Sequence, residues 1–203
     1  MGRKLGPKVK ASRRYGIALH PKAERILAKR NYPPGVHGPA GRGKTTDYGL
    51  QLAEKQKAKL LYGMMERQFA NYYTKAVRQS GDSSENLIRL LEMRLDNTVY
   101  RLGLATSRDQ ARQMVTHAHL TVNGKKVNIP SYQVSVGDVI AVRDRSKKSP
   151  LFMNSAERLK SATTPSWLSL DDKSLSGKVV DLPKKEDAGP WFDVKTIIEF
   201  YSK

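Results

Sequence analysis

The stretch SRDQARQMVTHAHLTVNGKKV, residues 107–127, decides the fold class of this chain. Ser107, followed three places later by Gln110, predicts the start of a helix, and the apolar residues after it repeat at helical spacing. Residues of alternating character then flank Asn123-Gly124, which is the strongest short signal for a β-hairpin. The sequence therefore predicts a short helix that leads directly into a hairpin.

The sequence on both sides extends this unit. Upstream, apolar residues at helical spacing over residues 85–102 predict a helix that ends at Gly103, a residue suited to the left-handed cap. Downstream, the turn Val136-Gly137-Asp138 precedes an apolar strand over Val139–Val142. We expect an α+β module over residues 94–142, with two helices packed on a small twisted antiparallel sheet.

A further helical pattern precedes the module. Residues 54–79 place their apolar side chains on one stripe, which predicts a single amphipathic helix. Its other face carries lysine and arginine side chains, among them Lys55, Lys57 and Arg67. Such a face suits either solvent or phosphate, and composition alone does not choose between them.

Positive charge is concentrated at the amino terminus. The chain has 37 Lys plus Arg against 19 Asp plus Glu, a net charge of +18, and residues 1–46 hold 12 of the basic and one of the acidic side chains. Proline and glycine crowd residues 33–43, so we expect a basic, irregular arm that becomes ordered on a polyanion. A solubilising tail or a transit peptide has a similar composition, and these alternatives stay open.

Several other classes of site are disfavoured. The absence of cysteine excludes disulfides, a thiolate nucleophile and cysteine-bound zinc. Residues 38–45, GPAGRGKT, match the phosphate-loop pattern, but NYPP precedes them instead of a buried strand, so we expect no nucleotide hydrolysis. His117 and His119 lack a third metal ligand, and no apolar run suits a membrane span or a signal peptide. We therefore predict no catalytic site, cofactor, metal, membrane contact or small-molecule substrate.

Particular residues of the module resemble a known family. The motifs Arg94-Leu95-Asp96-Asn97, Ser107-Arg108, Ala111-Arg112 and Val122-Asn123-Gly124 resemble the RNA-binding module named after ribosomal protein four. Pseudouridine synthases and a bacterial tyrosyl-tRNA synthetase share that module. The flanks, such as Leu5-Gly6-Pro7-Lys8, Pro34-Gly35-Val36-His37-Gly38 and Pro165-Ser166-Trp167-Leu168, are similar to the bacterial-type small-subunit ribosomal protein four itself. The chain departs from the family at Ala53, where a basic residue is usual, and in lacking the zinc-binding cysteines of many members.

The resemblance implies a non-enzymatic ribosomal protein. Its module would interrupt a helical domain made of residues 47–93 and 143–203. Family members bind early to a helix junction in the 5′ domain of 16S-type ribosomal RNA (rRNA), nucleate assembly, lie beside ribosomal proteins five and three, and influence decoding accuracy; some repress their own messenger. A cytoplasmic ribosome is implied, with a plastid ribosome left open. The rival hypothesis is an RNA-modifying enzyme with the same module.

Such a protein would recognise RNA shape and phosphate positions, for which the planar fork of arginine is well suited. Ser107 and Asn123 have a structural alternative each, as helix cap and turn former, and Arg94 could pair with Asp96 or Glu92. His37 and Tyr48 could stack on RNA or pack locally. The side chains expected to contact rRNA are Arg3, Lys4, Lys8, Lys10, Arg13, Arg14, His37, Arg42, Lys44, Tyr48, Lys55, Lys57, Arg67, Arg94, Arg101, Ser107, Arg108, Arg112, His117, Asn123, Lys125 and Lys126.

Overall fold

A computed structural model describes residues 2, 6–41, 43–153, 159, 163–172 and 174–202. The chain divides into two compact units, unit 1 (Met1–Leu87 and Ala188–Lys203) and unit 2 (Ile88–Asp187). The helices are α1 (Lys8–Tyr15), α2 (Pro21–Lys29), α3 (Asp47–Leu61), α4 (Glu66–Arg78), α5 (Ser83–Glu92), α6 (Leu95–Arg101), α7 (Arg108–Thr116), α8 (Asp144–Lys147), α9 (Pro150–Met153) and α10 (Val194–Ser202), with 3₁₀ turns at Gly38–Ala40 and Lys185–Ala188. The strands are β1 (Leu120–Val122), β2 (Lys125–Lys126), β3 (Val139–Val142), β4 (Leu168–Asp171) and β5 (Ser176–Val179).

The amino-terminal arm is more regular than its composition predicts. Residues 8–29 form α1 and α2, which pack against each other. The buried hydroxyl of Ser12 accepts a hydrogen bond from the backbone N–H of Leu19 at 3.2 Å, and His20 caps α2 through Lys22 N–H at 3.3 Å. The expectation of an irregular arm was therefore wrong for this part, because short polar side chains satisfy the backbone where the two helices join.

Residues 54–79 do not form the single helix that their apolar stripe predicts. Helix α3 already begins at Asp47, where Thr46 Oγ1 accepts a hydrogen bond from Gly49 N–H at 3.2 Å, and it ends at Leu61. Gly63 then adopts a φ of 64°, a left-handed conformation that ends a helix at little cost for glycine. Helix α4 starts three residues later and buries Phe69, and α10 packs against α3.

Unit 2 confirms the predicted α+β class. Its antiparallel sheet has the strand order β2-β1-β3-β5-β4. The predicted hairpin is present, with Val122 opposite Lys125 across the Asn123-Gly124 turn, and the predicted third strand occupies Val139–Val142. The core of this unit lies between the sheet and the helices α6 and α7, and it includes the buried side chains of Leu95, Leu102, Met114, Leu120, Ile140 and Trp167.

Two strands of the sheet lie beyond the expected end of the module at residue 142. Strand β5 pairs with β3, with Gly177 opposite Ile140, and β4 pairs with β5 at the sheet edge. Each strand has four residues, LSLD in β4 and SGKV in β5. The sequence predicts no strand here, because a segment this short has no distinct apolar pattern.

The predicted helix over residues 85–102 is interrupted between α5 and α6. Arg94 has extended backbone dihedral angles, φ −73° and ψ 136°, and forms a bridge with Gln133. Leu95 N–H donates to Tyr132 O at 2.8 Å, and Val134 N–H donates to Met93 O at 2.9 Å. The break places the first residues of α6 under a returning segment of the chain, which buries Arg94 and Asp96.

Candidate nucleic-acid interface

A buried carboxylate, Asp96, organises two of the predicted RNA contacts in unit 2. It accepts hydrogen bonds from Arg94 Nε at 3.0 Å and Nη2 at 2.7 Å, and from Arg112 Nη1 at 3.0 Å. The Arg94 side chain is 0% exposed, and Arg112 is also buried. Both arginines thus serve the core of the module, and the expectation that they face phosphate is corrected, because the fold places their acidic partner beside them.

A second buried carboxylate, Glu92, holds Arg101 directly and Arg108 through Asn97, and both arginines are partly exposed. Arg101 donates to it through Nε and Nη2, both at 2.9 Å, and Asn97 Nδ2 donates to it at 2.8 Å. The Oδ1 atom of Asn97 in turn accepts from Arg108 Nε at 2.9 Å. The Arg108 guanidinium also lies 4.5 Å from the centre of the Tyr100 ring, a cation–π distance. Helices α6 and α7 thereby hold two partly exposed guanidinium groups in fixed positions.

The hairpin adds two lysines to the surface of unit 2. Lys125 and Lys126 form the exposed strand β2 and make no ion pair with another described residue. Asn123 is in a left-handed conformation, with φ 49°. Its Nδ2 donates to Asp138 at 2.8 Å and its Oδ1 accepts from Val139 N–H at 2.9 Å, so its side chain fixes the turn. Asn123 therefore performs the structural role that the sequence left open.

Ser107 also has a structural role. Its Oγ accepts from Gln110 N–H at 3.3 Å and caps α7. The reciprocal half of the predicted capping box is shifted by one residue, because Gln110 Oε1 accepts from the N–H and hydroxyl of Thr106. At the other end of α7, His117 is exposed, and its ring lies parallel to that of His119 with centroids 6.1 Å apart. Desolvation, His117 and Arg143 together lower the pKa of His119.

Unit 1 carries exposed cations on its amino-terminal helices and loop. Lys10 and Arg14 are exposed on α1, and Lys44 and His37 are exposed in the loop before α3. Lys8 is partly buried. Arg13 is used internally, because it donates to Tyr32 O and Pro33 O, both at 3.1 Å, and its guanidinium lies over the Tyr32 ring.

The predicted contacts on α3 and α4 have mixed roles. The side chain of Lys55 is only 7% exposed and donates to Glu66 at 2.8 Å, so the structure gives it a role in packing. Lys57 pairs with Glu54 on the same helix. Tyr48 is exposed and its ring lies 5.7 Å from that of Phe200, whereas Arg67 is exposed on α4. The expected contacts Arg3, Lys4 and Arg42 lie outside the described residues.

The segment that matches the phosphate-loop pattern has the wrong surroundings. Gly38–Ala40 form a 3₁₀ turn, and the described residues before Leu120 contain no strand. Within the described part of the chain, no three His, Asp or Glu side chains cluster as a metal site would require. None of the helices described is long and apolar enough to span a membrane.

Sequence reasoning did not identify Glu92 and Asn97 as residues that hold the surface arginines. A buried glutamate 9 residues before an arginine has no short-range signature, because its partner is brought close by the break at Arg94. The Asn97–Arg108 contact joins α6 to α7 and likewise requires the tertiary fold. Asp96, in contrast, is one of the two acidic residues that the sequence suggests as partners of Arg94.

Comparison with known proteins identifies the family. Residues 3–92 match the family described as "Ribosomal protein S4/S9 N-terminal domain", and residues 93–140 match the "S4 domain". The chain is 53% identical over 206 residues to the "Small ribosomal subunit protein uS4" of Roseiflexus castenholzii, with all of both chains covered. The chain belongs to the uS4 family. The uS4 proteins of Chloroflexus aurantiacus and Chlorobium limicola are 52% and 48% identical to it, again over the full length of both chains.

Membership of the uS4 family agrees with the resemblance found in the sequence and with a cysteine-free chain. The relatives are named as ribosomal proteins and not as enzymes, which agrees with the predicted lack of catalytic activity. The S4 domain covers Arg101, Arg108, Lys125 and Lys126, the exposed or partly exposed cations of unit 2 described above.

Proposed function

We propose that this protein is a structural component of the small ribosomal subunit and that it binds the 16S-type rRNA of that subunit. The observation that carries this proposal is the fixed pair of arginines, Arg101 and Arg108, held by Glu92 and Asn97 at one end of the module. Guanidinium groups in fixed positions lose little freedom when they bind phosphate, although the Nε and Nη2 donors of Arg101 are already bonded to Glu92.

The finer parts of the proposal follow the family. We infer that the protein docks on the helix junction of the 5′ domain, nucleates assembly there, and contributes to decoding accuracy beside ribosomal proteins five and three. A cytoplasmic ribosome is the proposed location, and repression of its own messenger is a further proposed role. Unit 1 would supply Lys10, Arg14, His37, Lys44 and Arg67 to the same RNA, all of them exposed.

Hydroxyl-radical footprinting on naked small-subunit rRNA tests this proposal. The wild-type chain should protect riboses in the 5′ domain. A variant with Arg108→Gln, Lys125→Gln and Lys126→Gln should lose a subset of those protections, because three cations of unit 2 are removed. The matched control, Lys178→Gln, Lys184→Gln and Lys185→Gln, removes the same charge from exposed positions of that unit. It should retain the wild-type footprint.

Sedimentation distinguishes a ribosomal protein from the rival hypothesis, an RNA-modifying enzyme. A structural component should migrate with small subunits in a lysate at moderate salt. An RNA-modifying enzyme would migrate mainly free, and its deletion would remove a modified nucleotide. Absence of protection on the 5′ domain together with free migration would contradict the proposed function.

A further inference from the structure

A small cavity beside α7 is lined by residues that, apart from His117, are not among the expected rRNA contacts. It has a volume of about 180 Å³ and is lined by Gln110, Gln113, Met114, His117, His119 and Leu151. All of these residues belong to unit 2. We call this cavity the histidine pocket.

The histidine pocket combines an apolar floor with polar groups that can form hydrogen bonds to a ligand. Met114 is 2% exposed, and Leu151 is half-buried beside it. The side-chain amide of Gln113 and the ring nitrogens of His117 make no hydrogen bond with a described residue. An apolar surface with a few convergent polar groups is the usual composition of a site for a small organic group.

His119 is the fixed wall of the histidine pocket. Its Nδ1 lies 3.0 Å from Ser146 Oγ, and the Phe152 ring meets its ring edge-on at 6.1 Å. Desolvation lowers the pKa of His119, with further contributions from His117 and Arg143, so the surroundings favour the neutral ring. A neutral imidazole held at one nitrogen presents a flat face without charge.

The size of the cavity limits the ligand. Pockets for drug-sized molecules measure roughly 300–1,000 Å³, so a cavity of about 180 Å³ suits one planar ring system and not a whole nucleotide. Proteins recognise single-stranded RNA by stacking unpaired bases on flat side chains and by hydrogen bonds to their edges. Glutamine, with one acceptor and two donors, can bond to any base edge.

The position of the pocket fits a base that belongs to a bound RNA strand. Arg143 is partly exposed and lies close enough to His119 to lower its pKa. Arg108, in contrast, precedes His117 by nine residues, about two and a half turns of helix, and so lies on the other side of α7. A strand whose phosphate contacts Arg143 could therefore turn a nearby base towards the pocket.

We propose that the histidine pocket receives one unstacked nucleobase of the RNA, with its face on the imidazoles and its edge at Gln113. This inference rests on the proposed function. It assigns a base-contacting site beside Arg143, in the same unit as the cations proposed to contact phosphate.

The test compares a His117→Ala, Gln113→Ala variant with the wild-type chain. Both side chains are exposed, so the fold should survive, which circular dichroism checks. With a 5′-domain RNA fragment, the variant should bind about tenfold more weakly, the size of one lost base stack. The slope of log K against log salt should stay unchanged, because no charge that pairs with phosphate is removed. Thr116→Val, an exposed position on the same helix outside the pocket, is the matched control.

Base-specific chemical probing gives the decisive readout. Dimethyl sulfate and carbodiimide should find one base that the wild-type chain and the Thr116→Val control protect and that the double variant exposes, while ribose protections persist. Equal affinity and equal base reactivity for the double variant would overturn the nucleobase site and leave the proposed function intact. A changed salt slope would also overturn it, since it would make the contact a phosphate one. Lack of RNA binding by the wild-type chain would overturn both proposals.

Discussion

At the residue scale, Asp96 neutralises two buried guanidinium groups at once. Replacing it with alanine leaves Arg94 and Arg112 in the core of unit 2 without their carboxylate. Because an uncompensated buried charge is strongly unfavourable, we expect Asp96→Ala to lower the free energy of unfolding by about 3–5 kcal/mol. Urea unfolding checks this, with the fluorescence of the buried Trp167 as a local probe in a Trp191→Phe background.

Asp144→Ala is the control for this measurement. Asp144 pairs with Lys147 on α8, but its side chain is 96% exposed, so its removal should leave the unfolding midpoint unchanged. If Asp96→Ala and Asp144→Ala had equal effects, burial of the Asp96 cluster would not be the source of stability.

Single residues also mark where sequence reasoning succeeds. The Asn123-Gly124 hairpin and the Ser107 cap depend on neighbours within a few positions, and both are found. The expectation that Arg94 and Arg112 contact RNA rests on their charge, on the planar fork of arginine and on the family resemblance of the motifs that contain them. Charge alone does not reveal burial, and burial here depends on the returning segment around Tyr132.

At the element scale, strand β5 lies close against Leu102, the residue that follows helix α6. A Cβ at Gly177 would overlap the methyl groups of the fully buried Leu102. Gly177→Ala gains about 0.4–1 kcal/mol from the less flexible unfolded chain, but overpacking of a core costs about 1–3 kcal/mol. We therefore expect a net loss of stability in urea unfolding.

The side chain of Leu102 can be truncated to test whether its overlap with a Cβ at position 177 causes the loss of stability. Leu102→Ala is destabilising alone, but the double variant with Gly177→Ala should lose less stability than the two single losses combined. Lys178→Ala, exposed on the same strand, should change stability by less than ~0.5 kcal/mol. Strict additivity of the two core substitutions would contradict the proposed overlap.

Helices α3, α4 and α10 meet at Glu66. Its carboxylate accepts from Lys55 at 2.8 Å, Lys59 at 2.7 Å and Tyr201 at 2.8 Å. Desolvation raises the pKa of Glu66, but these three hydrogen bonds outweigh it and lower the pKa from 4.5 to about 2. Because the folded state binds this proton less readily than the unfolded state, the stabilisation is complete above about pH 4.5 and is lost as the pH falls towards 2.

The pH dependence of unfolding tests this junction. The Glu66 side chain is 46% exposed and therefore screened by solvent, so we expect it to contribute about 1 kcal/mol. The loss of stability between pH 7 and pH 3 should be smaller in Glu66→Gln than in the wild-type chain by roughly half of that amount or a little more, because the rest is lost only below pH 3. Glu24→Gln, an exposed carboxylate on α2 with no ion pair among the described residues, should retain the wild-type dependence. Identical curves for Glu66→Gln and wild type would count against the junction.

Elements differ in how far the sequence predicts them. The apolar stripe of residues 54–79 continues through Gly63 because α3 and α4 each bury one face, so periodicity alone misses the break. Strands β4 and β5 have few apolar residues, and their pairing with β3 depends on contacts distant in sequence. Such contacts have no local pattern to reveal them.

At the scale of the whole molecule, the net charge of +18 raises affinity for any polyanion. The positions of the positive charges therefore say more about a specific RNA site than their number does. The sequence alone shows that the excess of positive charge lies in the first 46 residues. Because these residues include the helices α1 and α2, they are not only a charged tail. Lys10, Arg14 and Lys44 are exposed there without an ion pair to another described residue. Replacing these three side chains can therefore show whether RNA binding depends on contacts at these positions or on the total charge of the protein.

Replacing Lys10, Arg14 and Lys44 with glutamine should weaken binding to the 5′-domain RNA and flatten its salt dependence. Each lost phosphate contact reduces the slope of log K against log salt by roughly 0.7–0.9, so the slope for the triple variant should fall by about 2–3. A second triple variant, Lys75→Gln, Arg78→Gln and Lys195→Gln, removes the same charge from exposed positions on α4 and α10. Filter binding compares the two triple variants at roughly 50–300 mM salt, where counterion release dominates the salt dependence. Equal loss of slope in both variants would mean that the RNA responds to the total charge of the protein, whereas a loss confined to the first variant assigns the contact to α1 and the loop before α3.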